Sequence, residues 1–550
     1  MKSAAPEPGY RLLQAAPVAL GLGAIYALVG LYLASRPTLL HDEGYSSFLF
    51  SRLLADAPLD LLFFQKAKPV VALLYAPFAA LGPAAFFTAH VLVAASAIPL
   101  LAAAARAMGI AAPNLVAFVL LTSPLHLLGG PLGFSNTDGL VGMALVLYLL
   151  EARRLPVAAG LVLGALPWVR YELLPLIAVL WIGEALSSAR RRGFLLAVPV
   201  FPALYLLAGA LFHHDLLWAL HHPPTLPAGM TDNPIWGSIH AHRTAGQALS
   251  TLVQVSVAVP AILLLRPRAA GTTERSLLAF GLIFLLLMNT LPLVEVLNFD
   301  YSPRYQLQVL PVAALALARL LQLEPASAER RWGGSTVVGL GLLLLVSLLC
   351  LRTDARAGPL LLTAGLCAVL ALASAGFPQA AAATAALLLL VPAVAELARG
   401  SLERQNRLRP VSLLLARLEA APESFSGRTL YTNQSLLSPY LERTGRLPAL
   451  DVTYLLQPDH RHELEQLSNG ENGQRARILA QVERRFFGPS TWARALDPDA
   501  STGSLLLVCD DPRLWWALPR ERWERHVHWL ATEEGCRLGE VVPAGSGDPL

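Results

Sequence analysis

The chain is 550 residues long, 55% hydrophobic and only 15% charged, with a mean hydropathy of +0.52. Repeated apolar stretches long enough to cross a hydrocarbon core of about 30 Å define a polytopic membrane protein and exclude an ordinary soluble enzyme. A formal net charge of +4, with the arginines dispersed in short clusters between spans, gives no support to a nucleic-acid partner and reports topology instead.

In chain order, Leu12 to Leu33 comes first. It is longer than a signal-peptide core and no small-residue cleavage site follows, so it is expected to stay as the first transmembrane helix. HDEGYSS, His41 to Ser47, stands directly after it, and adjacent carboxylates at a membrane exit suit chemistry on a membrane-borne substrate. The next apolar segment, KAKPVVALLYAPFAALGP, is short and carries Pro69, Pro77 and Pro83, which fits either a span or a re-entrant helix. Further spans are expected near Ala85 to Ala105, Pro113 to Leu128, Gly139 to Leu150, Leu155 to Trp168, Tyr171 to Leu186, Phe194 to Phe212, Ala248 to Leu265, Leu277 to Leu297, Tyr305 to Leu321, Ser335 to Leu351, Leu360 to Ala375 and Ala380 to Leu397.

The distribution of arginines chooses between span and re-entry, because counting the proline-rich segment as a span inverts every later loop. With re-entry, one set of loops holds Arg106, Arg153, Arg154, Arg190, Arg191, Arg192, Arg266, Arg268, Arg275, Arg330 and Arg331, and the other holds Arg170, Arg243, Arg304, Arg352 and Arg356. The richer set belongs on the cytoplasmic side. The resulting topology has about 13 spans, a cytoplasmic N-terminus, and HDEGYSS, SNTDG, HHPPTLPAG and NFDYSPRY on the outer face.

After Leu397 the composition changes abruptly. A transmembrane region of residues 1–398 is therefore followed by a soluble domain of residues 399–550 on the outer face. β-rich runs near Thr429, Thr453, Leu506 and Val541 alternate with helical stretches such as HELEQL and GQRARILAQVERRF, the pattern of an α/β domain. No glycine-rich phosphate loop follows any of these strands. Cys350 and Cys367 read as apolar packing residues. Cys509 and Cys536 both fall in the outer domain, where spacing leaves their pairing open.

The outer loops bring together a set of charged residues that suits one kind of chemistry. Asp42 and Glu43 supply carboxylates, Lys66 and Lys68 precede the re-entrant helix, Asp138 opens a span, Arg170 and Glu172 sit at a helix junction, and Arg304 with Tyr305 begins another span. A carboxylate can take the proton of an attacking hydroxyl, while lysine and arginine hold a departing phosphate. The plainer readings are a solvated turn for the Asp42–Glu43 pair, a snorkelling lysine, a helix cap at Asp138 and an intramembrane ion pair between Arg170 and Glu172. His213, His214, His221, His222, His240 and His242 surround one proline-rich loop, where a divalent metal has room but is not indicated, so no cofactor is expected. Trp218 and Trp236 fit interfacial anchoring or stacking on a sugar ring.

DEGY after the first span, Lys68–Pro69, SPLHLLGGPLGFSNTDG and PRYQLQVLP together resemble the lipid-dependent GT-C glycosyltransferases, within them the branch of the protein O-mannosyltransferases and the lipid A aminoarabinose transferase. The resemblance covers Leu12 to Leu321 by motif and the whole chain by architecture: a polytopic α-helical membrane protein with a C-terminal soluble α/β domain. It implies Asp42 as the catalytic carboxylate with Glu43 beside it and His41 preceding them, Lys68 on the donor phosphate although Val70 replaces the second proline of a KPP motif, and Asp138 as the acidic residue of the second outer loop. It further implies Arg170, Arg304 and Tyr305 near the phosphate. The implied reaction moves a sugar, with inversion, from a polyprenyl-phosphate donor to an envelope lipid, polysaccharide or protein at the outer face of a bacterial inner membrane. A flippase for lipid-linked sugars and a polymerase or ligase using diphosphate-linked donors are the alternatives.

Overall fold

The computed structural model describes residues 16–36, 40–110, 112–187, 191–221, 271–290, 303–320, 408–420, 425–434, 437–444, 446–447, 451–456, 490–492, 501–509, 525–533 and 535–543. The chain forms two compact units: Met1–Leu31, Lys68–Val71 and Ala89–Ala398 in one, and Tyr32–Ala67, Ala72–Thr88 and Arg399–Leu550 in the other.

The helices follow the apolar runs, with breaks where proline removes a donor. They are α1 (Ala16–Ala34), α2 (Asp42–Leu53), α3 (Pro69–Ala80), α4 (Pro83–Ala107), α5 (Pro113–Thr122), α6 (Pro124–Gly129), α7 (Ser135–Leu147), α8 (Pro156–Ala165), α9 (Leu174–Leu186), α10 (Arg192–Ala197), α11 (Val200–His213), α12 (Thr272–Thr290) and α13 (Leu310–Leu320). Among the described residues three stretches are long and apolar enough to cross a membrane: α1, α4, and Arg192–His213, which is interrupted at Val198 and Pro199. α3 has 12 residues, so at 1.5 Å per residue it is about 18 Å long, well short of a hydrocarbon core. The expected span from Pro113 to Leu128 is two helices, because Ser123 is extended (φ −69°, ψ 117°) ahead of Pro124, the conformation a following proline imposes. The expected spans Ala248–Leu265, Ser335–Leu351, Leu360–Ala375 and Ala380–Leu397 lie outside the described residues.

Helix packing in the first unit uses small residues and buried polar bolts. Gly160 and Gly164, four apart on α8, let backbone meet backbone: a Cβ at Gly160 would lie 2.8 Å from Phe194 O, and one at Gly164 2.3 Å from Val198 O. This is the close approach that paired small residues permit in apolar surroundings. His126 ties α6 to α4 and α5, its ring nitrogens 3.1 Å from Leu120 O and 3.2 Å from Ala94 O. Tyr26 of α1 stacks on that ring at 4.5 Å and donates its hydroxyl proton to His126 O at 2.6 Å. Trp218 is fully buried, packed on Gly209, stacked on His213 at 5.1 Å and bonded through Nε1 to Leu206 O. It is a packing residue, which corrects both readings that put it at a surface.

In the second unit a six-stranded sheet comprises β1 (Thr429–Thr432), β2 (Asp451–Leu456), β3 (Ser490–Trp492), β4 (Leu505–Cys509), β5 (Val527–Glu533) and β6 (Cys536–Val541), in the order β3-β2-β1-β4-β6-β5. β3, β2, β1 and β4 run parallel, and β6 pairs antiparallel with both β4 and β5. β4 is buried along its whole length, as a central strand of a mostly parallel sheet should be. Leu455, Leu506, Val508, Val527 and Val541 form the core, and the β5–β6 turn places Gly535 at φ +80°, the left-handed region that tight hairpins give to glycine. Helix α14 (Leu408–Glu419) packs on β5 and β6. α15 (Leu437–Thr444) is joined to α14 by the Tyr440 hydroxyl, which donates to Ser412 Oγ at 2.8 Å. Four of the six strands fall where the β-rich runs place them; β3, only three residues long, and β5 were not among those runs.

Cys509 and Cys536 lie directly opposite each other on β4 and β6 and form a disulfide spanning 27 residues. A cross-link of that length stabilises by about 3 to 4 kcal/mol through the lost freedom of the unfolded chain. Unfolding of this unit, followed by hydrogen exchange of the β4 and β6 amides in the whole protein, should become correspondingly easier in Cys509→Ser/Cys536→Ser. An unchanged exchange rate would show that the bridge does not constrain the sheet.

Arg446 grips Glu419 with two hydrogen bonds, 2.5 and 2.6 Å, and these hold the Glu419 carboxyl below the usual carboxylate range. A carboxyl depressed in the folded state stabilises fully above its unfolded pKa of about 4.3 and ceases to do so as pH falls through the lower folded value. The sheet unit should therefore weaken in acid below about pH 4, and Glu419→Gln should flatten that part of the stability profile.

Candidate active site

The first unit carries an uninterrupted buried polar run in an otherwise apolar chain: Ser135, Asn136 and Thr137 are fully buried, and Asp138 nearly so. Gly133 (φ +72°) reverses the chain, Phe134 is extended, and α7 begins at Ser135. Polar groups buried in such surroundings are costly unless bonded, and Ser135 and Asp138 receive partners from three other segments. Ser135 Oγ accepts from Lys68 Nζ at 2.6 Å and from Arg170 Nη1 at 3.1 Å. Three residues on, on the same face of the helix, Asp138 Oδ2 lies 3.1 Å from His90 Nε2, and His90 Nδ1 lies 3.1 Å from Gly130 O. A carbonyl oxygen only accepts, so Nδ1 carries a proton and a single further proton is shared between Nε2 and Oδ2.

Lys68 reaches this point from a left-handed backbone, φ +54°, immediately before Pro69 opens α3. A non-glycine residue there is strained and persists where surrounding structure fixes it. Arg170 is extended (φ −152°, ψ 117°) ahead of the short turn Tyr171–Leu173. Its guanidinium takes Glu172 in a fork, Nη2 to Oε1 at 2.5 Å and Nε to Oε2 at 3.1 Å, leaving Nη1 for Ser135. The ion pair considered from the sequence is thus present, and it coexists with the hydroxyl contact. Pro303–Gln308 packs on α7 and brings the Tyr305 ring under Arg170 at 5.3 Å and under Arg304 at 5.6 Å, with Arg304 also 5.9 Å from Phe134. Guanidinium groups favour such aromatic faces.

Of the residues chosen from the sequence, Lys68, Asp138, Arg170, Glu172, Arg304 and Tyr305 fall in this cluster. Asp138 sits in the first turn of α7 and pairs with His90; it is not the helix cap. His41, Asp42 and Glu43 belong to the other unit. His41 caps α2, its Nδ1 accepting from Glu43 N at 3.2 Å; Asp42 is the first residue of that helix, and its side chain lies outside the described residues. Ser135, His90, Asn136 and Gln308 were not singled out from the sequence. The readable signal for His90 was a lone histidine within the apolar run FFTAHVLVAAS.

The cluster gathers three cations, Lys68, Arg170 and Arg304, with the carboxylates of Asp138 and Glu172 in largely apolar surroundings. That arrangement suits an anion attached to an apolar chain. A second charged group in the same unit behaves differently. A cavity of about 280 Å³ is lined by Glu151, Glu184, Arg191, Thr273 and Glu274. There the charges pair off, Arg191 with Glu151 at 3.0 Å and Arg319 with Glu274 at 2.9 Å. Among the described residues no group of three or more His, Cys, Asp or Glu is disposed to hold a metal. His221 pairs with Asp215 at 2.6 Å, while His222, His240, His242 and Trp236 lie outside the described residues.

No protein-family model and no curated protein matches the chain. Two solved structures are similar to it. ArnT from Cupriavidus metallidurans in the apo state is 16% identical with a TM-score of 0.49, over 96% of this chain and 99% of that one. ArnT from the same organism bound to undecaprenyl phosphate is 15% identical with a TM-score of 0.48, over the same shares.

Arg170→Ala leaves Glu172 buried without its counter-charge, a change that costs about 3 to 5 kcal/mol. The melting temperature of the purified protein should fall sharply in Arg170→Ala and recover in part in Arg170→Ala/Glu172→Ala. Simply additive losses in that cycle would show that the two groups are not coupled.

Proposed function

We propose that this protein is a membrane glycosyltransferase that takes a sugar from a polyprenyl-phosphate donor and transfers it to an acceptor at the outer face of a bacterial inner membrane. The observation that carries this reading is the convergence of part-buried Lys68 and buried Arg170 on Ser135, with Arg304 over the Tyr305 ring that also lies under Arg170. Cations gathered among apolar helices favour a ligand that is itself anionic at one end and apolar along the rest. The ordered motifs DEGY, Lys68–Pro69, SNTDG and PRY assign the donor class by their resemblance to the GT-C enzymes. In this reading residues 1–398 bind the donor and catalyse, with the N-terminus cytoplasmic, and residues 399–550 form a soluble outer-face domain.

The reaction is a displacement at the anomeric carbon. An acceptor oxygen forms the new bond to that carbon as the bond to the phosphate oxygen breaks, which inverts the configuration. The bonding electrons leave with the phosphate, whose growing negative charge Lys68, Arg170 and Arg304 stabilise. Phosphate is a weak base and departs without a general acid. The proton of the acceptor hydroxyl goes to a carboxylate, a role assigned to Asp42 with Glu43 as its neighbour.

The test uses cells lacking the protein, complemented with wild type, Lys68→Ala or Asp42→Asn at equal expression, with mass spectrometry of envelope lipids, polysaccharides and proteins. A defined sugar should disappear on deletion, return with wild type, and return at about 1% or less with either variant. The same variants in detergent should fail to consume a polyprenyl-phosphate sugar. Full restoration by Lys68→Ala would overturn the phosphate reading. A wild-type protein that consumes no such donor in detergent, where there are no compartments to transport between, would point to the flippase.

A further inference from the structure

Three side chains of the cluster, Asn136, Thr137 and Gln308, have no bonding partner among the described residues, and the two carboxamides leave both a donor and an acceptor unmet. Asn136 and Gln308 are both 0% exposed, and among the described residues neither the oxygen nor the nitrogen of either carboxamide has a hydrogen-bond partner. Buried polar atoms are bonded in the great majority of cases, and each one left unbonded is destabilising. Four such atoms in two neighbouring side chains mark a place whose partners come from a ligand.

Their position follows from α7. Gly139 lies three residues after Asn136 and so on the same face of the helix. A Cβ at Gly139 would come 3.6 Å from Arg170 Cγ and 3.8 Å from Gln308 Cγ. The glycine thus makes room for the stems of both Arg170 and Gln308 on the face that carries Asn136. The stem of Gln308 thus lies by the stem of Arg170, whose guanidinium binds Ser135 Oγ, the neighbour of Asn136 in the chain.

The chemistry narrows the occupant. Each carboxamide offers a donor and an acceptor and carries no charge. A phosphate accepts only, and would leave both amide oxygens unpaired. A polyprenyl chain satisfies neither atom, and a cation would use the oxygens alone while facing Lys68 and Arg170. Hydroxyl groups donate and accept at once, and adjacent hydroxyls on a sugar ring present both functions in alternation.

We infer that Asn136 and Gln308 form the subsite that binds the hydroxyl groups of the donor's sugar, next to the cations that hold its phosphate. The inference rests on the proposed function and assigns a part of the site that no charged residue serves. The sugar is read by two neutral amides, and the phosphate by the cations.

The experiment measures dissociation constants of the purified full-length protein in detergent, without acceptor. The probes are decaprenyl phosphate and decaprenyl phosphate bearing mannose, glucose, arabinose or 4-amino-arabinose, and the proteins are wild type, Asn136→Leu and Gln308→Met. Wild type should bind at least one glycosylated lipid about tenfold or more tightly than the bare lipid. Each variant should bind the bare lipid as wild type does and lose that gain. Both variants are close in size to the original side chain and remove buried unpaired groups, so their melting temperatures should hold or rise.

Glycosylated lipids bound equally well by wild type and variants would show that the amides hold water only. Equal weakening of both kinds of lipid, or a lowered melting temperature, would mark a packing role. Unchanged donor binding with a raised acceptor KM would move the amides to the acceptor's hydroxyls. Each of these overturns the inference while leaving the phosphate reading intact. A wild type that binds neither bare nor glycosylated lipid removes the proposed function and the inference with it.

Discussion

The candidate site depends on one uncharged acceptor. Ser135 Oγ receives hydrogen bonds from Lys68 and Arg170, two cations that would otherwise repel each other in a medium of low dielectric. A carboxylate at the same point would also collect them, and would cancel most of their charge in doing so. A hydroxyl fixes their direction through its lone pairs and leaves the charge in place. The requirement reaches back into the chain: α7 must begin at Ser135, which the Gly133 reversal and extended Phe134 ensure, and Lys68 must sit in a left-handed conformation just ahead of Pro69. The strain at Lys68 and the burial of Ser135 serve the same arrangement.

The same unit contains the other solution to buried charge. Around Glu151, Glu184 and Glu274 the arginines are met by carboxylates: Arg191 reaches Glu151 and, through its backbone N–H, Glu184, while Arg319 takes Glu274 in a fork. Thr273 adds a hydroxyl donor to Glu151 at 2.6 Å. Every strong donor there faces a formal negative charge, so the network stabilises helix packing and attracts little else. Arg170 combines both solutions, since its fork onto Glu172 neutralises it and its remaining nitrogen supports the hub. Lys68 and Arg304 are the other two cations of the cluster. Arg170 sets geometry for them as much as it supplies charge.

Much of this was legible in the sequence, for identifiable reasons. Apolar run length located the candidate spans α1, α4 and Arg192–His213, and local composition located four of the six strands. Charged residues in apolar stretches are conspicuous because they are costly, which is why Lys68, Asp138, Arg170 and Arg304 could be named from one chain. The division of one expected span at Pro124 was not legible in hydropathy, which weighs side chains and ignores the backbone constraint on Ser123. Neither was the choice of partners. Lys68 and Ser135 are 67 residues apart, and His90 and Asp138 are 48 apart; no local spacing encodes such contacts. Serine, asparagine and glutamine also carry no cost in sequence terms until burial is known, so Ser135, Asn136 and Gln308 stayed in the background while the charges drew notice.

Proton placement completes the electrostatic picture. Gly130 O obliges His90 to keep a proton on Nδ1, so the proton between His90 Nε2 and Asp138 Oδ2 can reside on either atom without changing the charge of the pair. In both states the pair is neutral overall. The Arg170–Glu172 pair reaches neutrality by another route, because guanidinium does not give up its proton. A neutral pair that can redistribute a proton thus stands beside a neutral pair that cannot, and both flank the hydroxyl hub. Since neither pair changes its net charge, the two pairs hold the position of Ser135 without altering the balance around it, and Lys68 and Arg304 are the cations of the cluster that stand outside them.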